Sequence, residues 1–218
     1  LTAATALPRT ELHEPGAMLR RYVDSRVQPH FVAALLDDGP WRHPLLRAAA
    51  PGLRADLAHL AARLPALLDS LAGHRHVRIH GDATPHNLLV SRQGPDELVV
   101  IDWAMGTTAP AGEELGQLLI GGAHDGHLDA DDLVALRDVV VPAYVAGLAD
   151  EGRHLAPDAV RLALDTTVTL RSAFTALPLE RLADPVDEEL AALVARRLQL
   201  TRHLVDVGLT LGVDVAAA

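Results

Sequence analysis

The sequence predicts an α+β fold, predominantly helical, with a small β hairpin at its centre. Three observations carry this. Leu53, Leu57, Leu60, Leu64, Leu67, Leu68 and Leu71 recur at steps of mostly three and four, the mark of an amphipathic helix. After Gly73 the period drops to two in His76-Val77-Arg78-Ile79-His80, and short apolar runs follow at Asn87 to Val90 and Leu98 to Ile101. Beyond Gly112 the helical pattern returns.

The elements follow in order. Glu11 to Leu36 reads as helix broken by Pro15-Gly16 and by Pro29, and Asp37-Asp38-Gly39-Pro40 reads as a turn. Trp41 to Pro51 is a connector with short helical pieces. Leu53 to Leu71 is the leucine helix, and Pro65 within it is expected to kink or split it. Gln93-Gly94-Pro95-Asp96 supplies the turn of the β hairpin. Glu113 to Ile120 is a short helix expected to stop at Gly121-Gly122. Asp129 is the expected N-cap of a helix over Asp132 to Leu148, with acid in its first turn. Pro157 suits the first position of a helix reaching about Phe174. Glu188 to Val207 is the last amphipathic helix.

Composition excludes several classes. At 218 residues, 49% hydrophobic and 22% charged, the chain suits one generous domain or two packed lobes. It has no Cys, so a disulfide scaffold and a thiolate zinc site are ruled out. All 19 basic residues are Arg, which removes any role for a lysine amine from this chain. A formal charge of −10 with 3% aromatics argues against a nucleic-acid partner. No uncharged apolar run reaches spanning length, so no membrane partner is expected. Leu1 to Thr10 has no basic or apolar stretch of a secretory leader, and the expected location is cytoplasmic.

Chemistry concentrates in Ile79-His80-Gly81-Asp82-Ala83-Thr84-Pro85-His86-Asn87, followed by Ile101-Asp102-Trp103. Asp82 follows a strand in a loop with Gly81 and Pro85. Asn87 enters the next strand and Asp102 leaves its partner, so a hairpin brings Asn87 and Asp102 to one end of a sheet. An amide oxygen beside a carboxylate is a hard oxygen pair suited to Mg²⁺. Asp82, off the metal, is then free to accept a proton from a hydroxyl. Phosphoryl transfer needs that division of labour.

His80-Gly81-Asp82 with Asn87 matches the H-x-D-x-x-x-x-N catalytic loop of protein kinases, and Ile101-Asp102-Trp103 stands where they carry D-F-G. With Gly81 and Trp103, the pattern resembles the aminoglycoside phosphotransferase and choline kinase-like family of small-molecule kinases. The resemblance implies the C-terminal lobe of a protein-kinase-like fold. It implies Asp82 as catalytic base, Asn87 and Asp102 as Mg²⁺ ligands, and His80 as a structural member holding the loop to the Asp102 segment. It also implies ATP or GTP as phosphoryl donor and a small-molecule substrate as acceptor; the acidic balance of the chain favours a cationic one. Protein kinases carry Arg where Gly81 stands, and its absence argues against a protein substrate. Pro110-Ala111-Gly112-Glu113-Glu114-Leu115 resembles the family's acidic stretch after Asp-Trp, which makes Glu113 and Glu114 candidate substrate contacts; first-turn helix acids are the plainer reading of the pair.

Other clusters read as structural. His74, His76, His80 and His86 suggest zinc, but one packed loop histidine with exposed neighbours accounts for them. Asp125, Asp129, Asp131 and Asp132 lack EF-hand spacing, and helix capping with a solvated acidic face explains them.

The chain carries neither Lys nor G-x-G-x-x-G, so residues 1–218 are expected to be the catalytic and substrate-binding lobe of a longer kinase, with an N-terminal nucleotide lobe as partner in the same polypeptide. The competing reading is an inactive relative that binds a ligand or acts as a scaffold. Retention of Asp82, Asn87 and Asp102 together favours the enzyme.

Overall fold

The computed structural model describes residues 17–92, 94 and 97–212. The expected helix and break over Glu11 to Gly16, and Gln93, Pro95 and Asp96 of the expected turn, lie outside the described residues. Seven α-helices and two small sheets are present among them: α1 (Ala17–Tyr22), α2 (Ala33–Leu36), α3 (Ala50–Ser70), β1 (His76–Ile79), β2 (Leu88–Val90), β3 (Leu98–Val100), β4 (Thr107–Pro110), α4 (Glu113–His124), α5 (Ala130–Asp150), α6 (Pro157–Ser172) and α7 (Glu188–Thr210). The mostly helical α+β class stands. No helix among the described residues is long and apolar enough to cross a membrane.

The core is built by α3, α6 and α7. Leu57, Leu60 and Leu67 of α3 are fully buried, as are Leu170 of α6, Phe174 just after it and Val194 of α7. Each buried leucine contributes about 1.5–3 kcal/mol. Arg63 of α3 crosses to the end of α7 and donates to the Gly208 and Leu209 carbonyls at 3.0 and 2.8 Å. A guanidinium there satisfies carbonyls left open by the helix end and meets the negative end of its dipole.

Two prolines behave otherwise than expected. Pro65 lies inside α3, which runs unbroken from Ala50 to Ser70. Pro65 is itself exposed while Leu64, Leu67 and Leu68 are buried, so the apolar stripe holds the helix together across a missing hydrogen bond. Pro29 lies within a π-helical stretch, Val23–Val32, that joins α1 to α2. The Ala33 N–H reaches past Pro29 to the Gln28 carbonyl, and this wider turn carries the proline without a break.

The glycine pair in α4 also differs from expectation, since the helix continues through Gly121 and Gly122 to His124. A Cβ on Gly121 would lie 2.8 Å from Pro85 Cδ, and one on Gly122 would lie 2.7 Å from Leu128 Cδ1. The glycines are there for close packing, not to end a helix.

Helix caps follow the sequence. The Asp129 carboxylate accepts from the Asp131 and Asp132 N–H groups, each at 2.9 Å, and Asp132 returns a bond from the Asp129 N–H at 2.9 Å. Pro157 opens α6, and Asp187 caps α7 through the Leu190 N–H at 2.8 Å.

The sheet region holds one strand that the sequence pattern did not announce. β2 pairs antiparallel with β3, Leu88 opposite Val100 and Val90 opposite Leu98. β1 pairs instead with β4, Val77 opposite Ala109 and Ile79 opposite Thr107. Thr107–Pro110 has no apolar alternation and takes its place through this long-range pairing.

Candidate active site

Asn87 immediately precedes β2, and Asp102 lies two residues past the end of β3. The hairpin register sets their relation: the Ile101 N–H donates to the Asn87 carbonyl at 3.1 Å, so Asp102 comes directly after the residue bonded to Asn87. Asp82 joins from the loop after β1. The Asn87 amide Nδ2 donates to the Asp82 carbonyl at 2.8 Å and to Asp82 Oδ2 at 3.1 Å. Thr84 and Pro85 make this possible, because the chain turns through a 3₁₀ segment, Pro85–Asn87, closed by the Asn87 N–H on the Thr84 carbonyl at 3.0 Å.

The amide's donors are thereby committed to Asp82. Asn87 Oδ1 has no partner among the described residues, nor does Asp82 Oδ1 or the exposed Asp102 carboxylate. Asp102 itself adopts the left-handed conformation, φ 57° and ψ 62°, sparsely populated for any side-chain-bearing residue and most tolerated by Asn and Asp. Asn87 and Asp102 therefore fit a hard divalent cation: their free oxygens are one amide and one carboxylate, without nitrogen or sulfur, and Asp82 keeps a free oxygen of its own.

His80 is 3% exposed and bonds at both ring nitrogens. Its Nδ1 accepts from the Asp82 N–H at 3.2 Å, and its Nε2 lies 2.7 Å from the Ile101 carbonyl. Trp103 packs edge-on against the ring, centroids 4.8 Å apart. Gly81 has φ +82°, and a Cβ there would lie 2.1 Å from the Met105 carbonyl oxygen. Only glycine permits this approach between the Asp82 loop and the segment after Asp102.

Glu113 is buried and Glu114 half-buried in the first turn of α4. Glu114 Oε2 accepts from the His80 N–H at 3.1 Å and its Oε1 from the Tyr144 hydroxyl at 3.2 Å. Glu113 is 5% exposed, with Oε2 unpartnered among the described residues. Burial pushes its carboxyl up to about 6, against the opposing pull of the Arg171 guanidinium, and Glu114 adds to the rise. Arg171 is held in turn by Gln117, whose amide, oriented with its oxygen toward the guanidinium, accepts from Nη2 at 2.6 Å, and it lies over the Tyr22 ring. Tyr144, Gln117 and Arg171 escaped sequence reasoning. Tyr144 lies 30 positions from Glu114, and no local pattern links the two.

His86 pairs with Asp125 at 2.9 Å, and among the described residues no group of three or more His, Cys, Asp or Glu side chains is placed to hold a metal.

Residues 4–148 match the model of the phosphotransferase enzyme family, about two thirds of the chain. This chain belongs to that family. The match takes in Asp82, Asn87, Asp102 and both glutamates, as well as Tyr144. No curated protein and no solved structure gives a match.

Proposed function

We propose that this member of the phosphotransferase enzyme family is the C-terminal lobe of a small-molecule kinase, which transfers the γ-phosphoryl group of ATP or GTP to a hydroxyl of an amino-sugar, amino-alcohol or related compound. One observation carries the reading: Asn87 spends its donors on Asp82 and leaves its oxygen free at the hairpin end where Asp102 emerges.

The roles follow from which oxygens are free. Asp82 Oδ2 is held by Asn87, so Oδ1 takes the proton of the acceptor hydroxyl as that oxygen bonds to the transferred phosphorus and the nucleoside diphosphate departs. Asn87 Oδ1 and the Asp102 carboxylate would hold Mg²⁺, which when bound neutralises charge on the phosphate chain. His80 keeps the two carboxylates in register through its bonds to Asp82 and Ile101.

A nucleotide-covering lobe of the same polypeptide completes the proposal. Val90 is 64% and Leu98 55% exposed on the β2–β3 hairpin, and Trp103 and Met105 beside it are half exposed. A run of apolar side chains next to the phosphate-handling residues supports cover by a base and by a further segment. The formal charge of −10 favours an amine-bearing acceptor over an anionic one.

The test uses the full-length protein with Mg²⁺, ATP or GTP and a panel of amino-sugars, amino-alcohols and macrolides. Acceptor-dependent release of nucleoside diphosphate is expected, and Asp82→Ala should lower its turnover by about 10²–10⁴. Nucleotide binding without transfer to any acceptor would select the inactive, ligand-binding reading instead.

A further inference from the structure

The Asp82 loop is gripped from behind by a side chain that takes no part in the proposed chemistry. Glu114, in the first turn of α4, uses one oxygen to accept the His80 N–H. Its other oxygen accepts the Tyr144 hydroxyl, which comes from α5. The bonds then continue forward: the His80 ring takes the Asp82 N–H and reaches the Ile101 carbonyl. One line of hydrogen bonds thus runs from α5 through α4 to the Asp82 backbone N–H and to the carbonyl of Ile101, the residue before Asp102.

We infer that Tyr144 is a positioning residue: its hydroxyl fixes the Glu114 carboxylate so that Glu114 holds the His80 peptide, and with it the Asp82 side chain, in place for transfer. The inference rests on the phosphoryl-transfer reading for its effect on rate, but the bracing itself does not.

A glutamate has three side-chain torsions, and a bond at one oxygen alone leaves the carboxylate free to swing. Bonds at both oxygens, from two different elements, fix it. Gly81 makes such support necessary, because it bends the chain through φ +82° and contributes no side chain to anchor the loop. Tyr144 is a durable donor: burial raises its phenol well above the usual value, and the neighbouring Glu114 charge and hydrogen bond raise it further. The hydroxyl proton therefore stays on Tyr144 well into alkaline solution.

The test compares Tyr144→Phe, which deletes only the hydroxyl, with Glu114→Gln in the full-length protein. The glutamine amide retains an oxygen for the His80 N–H and offers an N–H to the Tyr144 oxygen, so it is the conservative rescue. Amide hydrogen exchange is read over residues 79–84, with α7 as internal reference. Tyr144→Phe should speed exchange at 79–84 by about tenfold, the effect of one lost hydrogen bond to a charged group, and leave α7 unchanged. Acceptor-dependent kcat should fall by about tenfold with the nucleotide KM within about twofold, since misplacement of Asp82 costs rate and not nucleotide contact. Glu114→Gln, which keeps both bonds without the charge, should shift both readouts less than Tyr144→Phe does. Wild-type exchange at 79–84 in Tyr144→Phe overturns the inference. If the wild type transfers phosphate to no acceptor while Tyr144→Phe still loosens 79–84, the bracing stands and the phosphoryl-transfer reading falls.

Discussion

His80 Nε2 sits 2.7 Å from the Ile101 carbonyl oxygen while His80 Nδ1 accepts the Asp82 N–H, so one imidazole spans from the Asp82 loop to the residue before Asp102. Accepting at Nδ1 and donating at Nε2 defines the neutral tautomer. Buried and fully bonded, the ring is a spacer, and the separation of Asp82 and Asp102 is set by its width.

Asp102→Asn is the clean test of the proposed metal ligand. Asn tolerates the left-handed backbone found at this position, whereas Ala would add strain. The variant should keep its fold, and Mg²⁺-dependent nucleotide binding by the full-length protein should fall below detection in calorimetric titration. Wild-type affinity in Asp102→Asn would remove Asp102 from the metal site.

Gly81→Ala should be costly. The new Cβ meets the Met105 carbonyl oxygen at 2.1 Å, a backbone atom that cannot rotate away, and φ +82° disfavours any L side chain. The conformational penalty alone is about 1–2 kcal/mol, and displacement of the Met105 segment adds to it. Urea unfolding should show a loss of at least about 2 kcal/mol. A loss under about 0.5 kcal/mol would mean that the loop does not need this close approach.

What the sequence revealed, and what it did not, divides along local and distant interactions. The leucine stripe of α3, the Asp129 cap and the β2–β3 hairpin depend on residues a few positions apart, and their patterns were legible. β4 was not, because Thr107–Pro110 becomes a strand only by pairing with β1 some thirty positions earlier. Gly121 and Gly122 read as a stop signal, since helix propensity cannot show that Pro85 and Leu128 press against them. At the site, Asp82, Asn87 and Asp102 were visible from spacing. The placement of Glu113 and Glu114 was not, because the Tyr144 and Arg171 that surround them come from α5 and α6.

Pro65→Ala tests whether core burial carries α3 across its missing hydrogen bond. Pro65 is exposed, so the substitution changes little packing and restores a donor inside the helix. A helix-interior proline costs about 3 kcal/mol against alanine, part of which is offset here by the stiffer unfolded chain. Thermal or urea unfolding should show a gain of about 1–2 kcal/mol. A loss of stability would show that α3 needs the bend that Pro65 imposes.

Glu113→Gln should change how stability depends on pH. In the folded chain the Glu113 carboxyl is pushed up to about 6 from an ordinary value of 4.5, so between those limits the native state holds a proton that the unfolded state has lost. Its contribution is complete below about pH 4.5 and is lost as pH rises through 6, an unfavourable change of about 2 kcal/mol. His124 has the opposite slope: burial pushes its imidazole down to about 4, so between about 4 and 6.5 its contribution grows with pH. The wild-type curve mixes the two, but the difference between wild type and Glu113→Gln cancels His124. That difference, read from urea midpoints at several pH values, should move in favour of the variant by about 2 kcal/mol from pH 4.5 to 7. A difference that stays flat with pH would show that Glu113 ionises as freely in the folded chain as in the unfolded one.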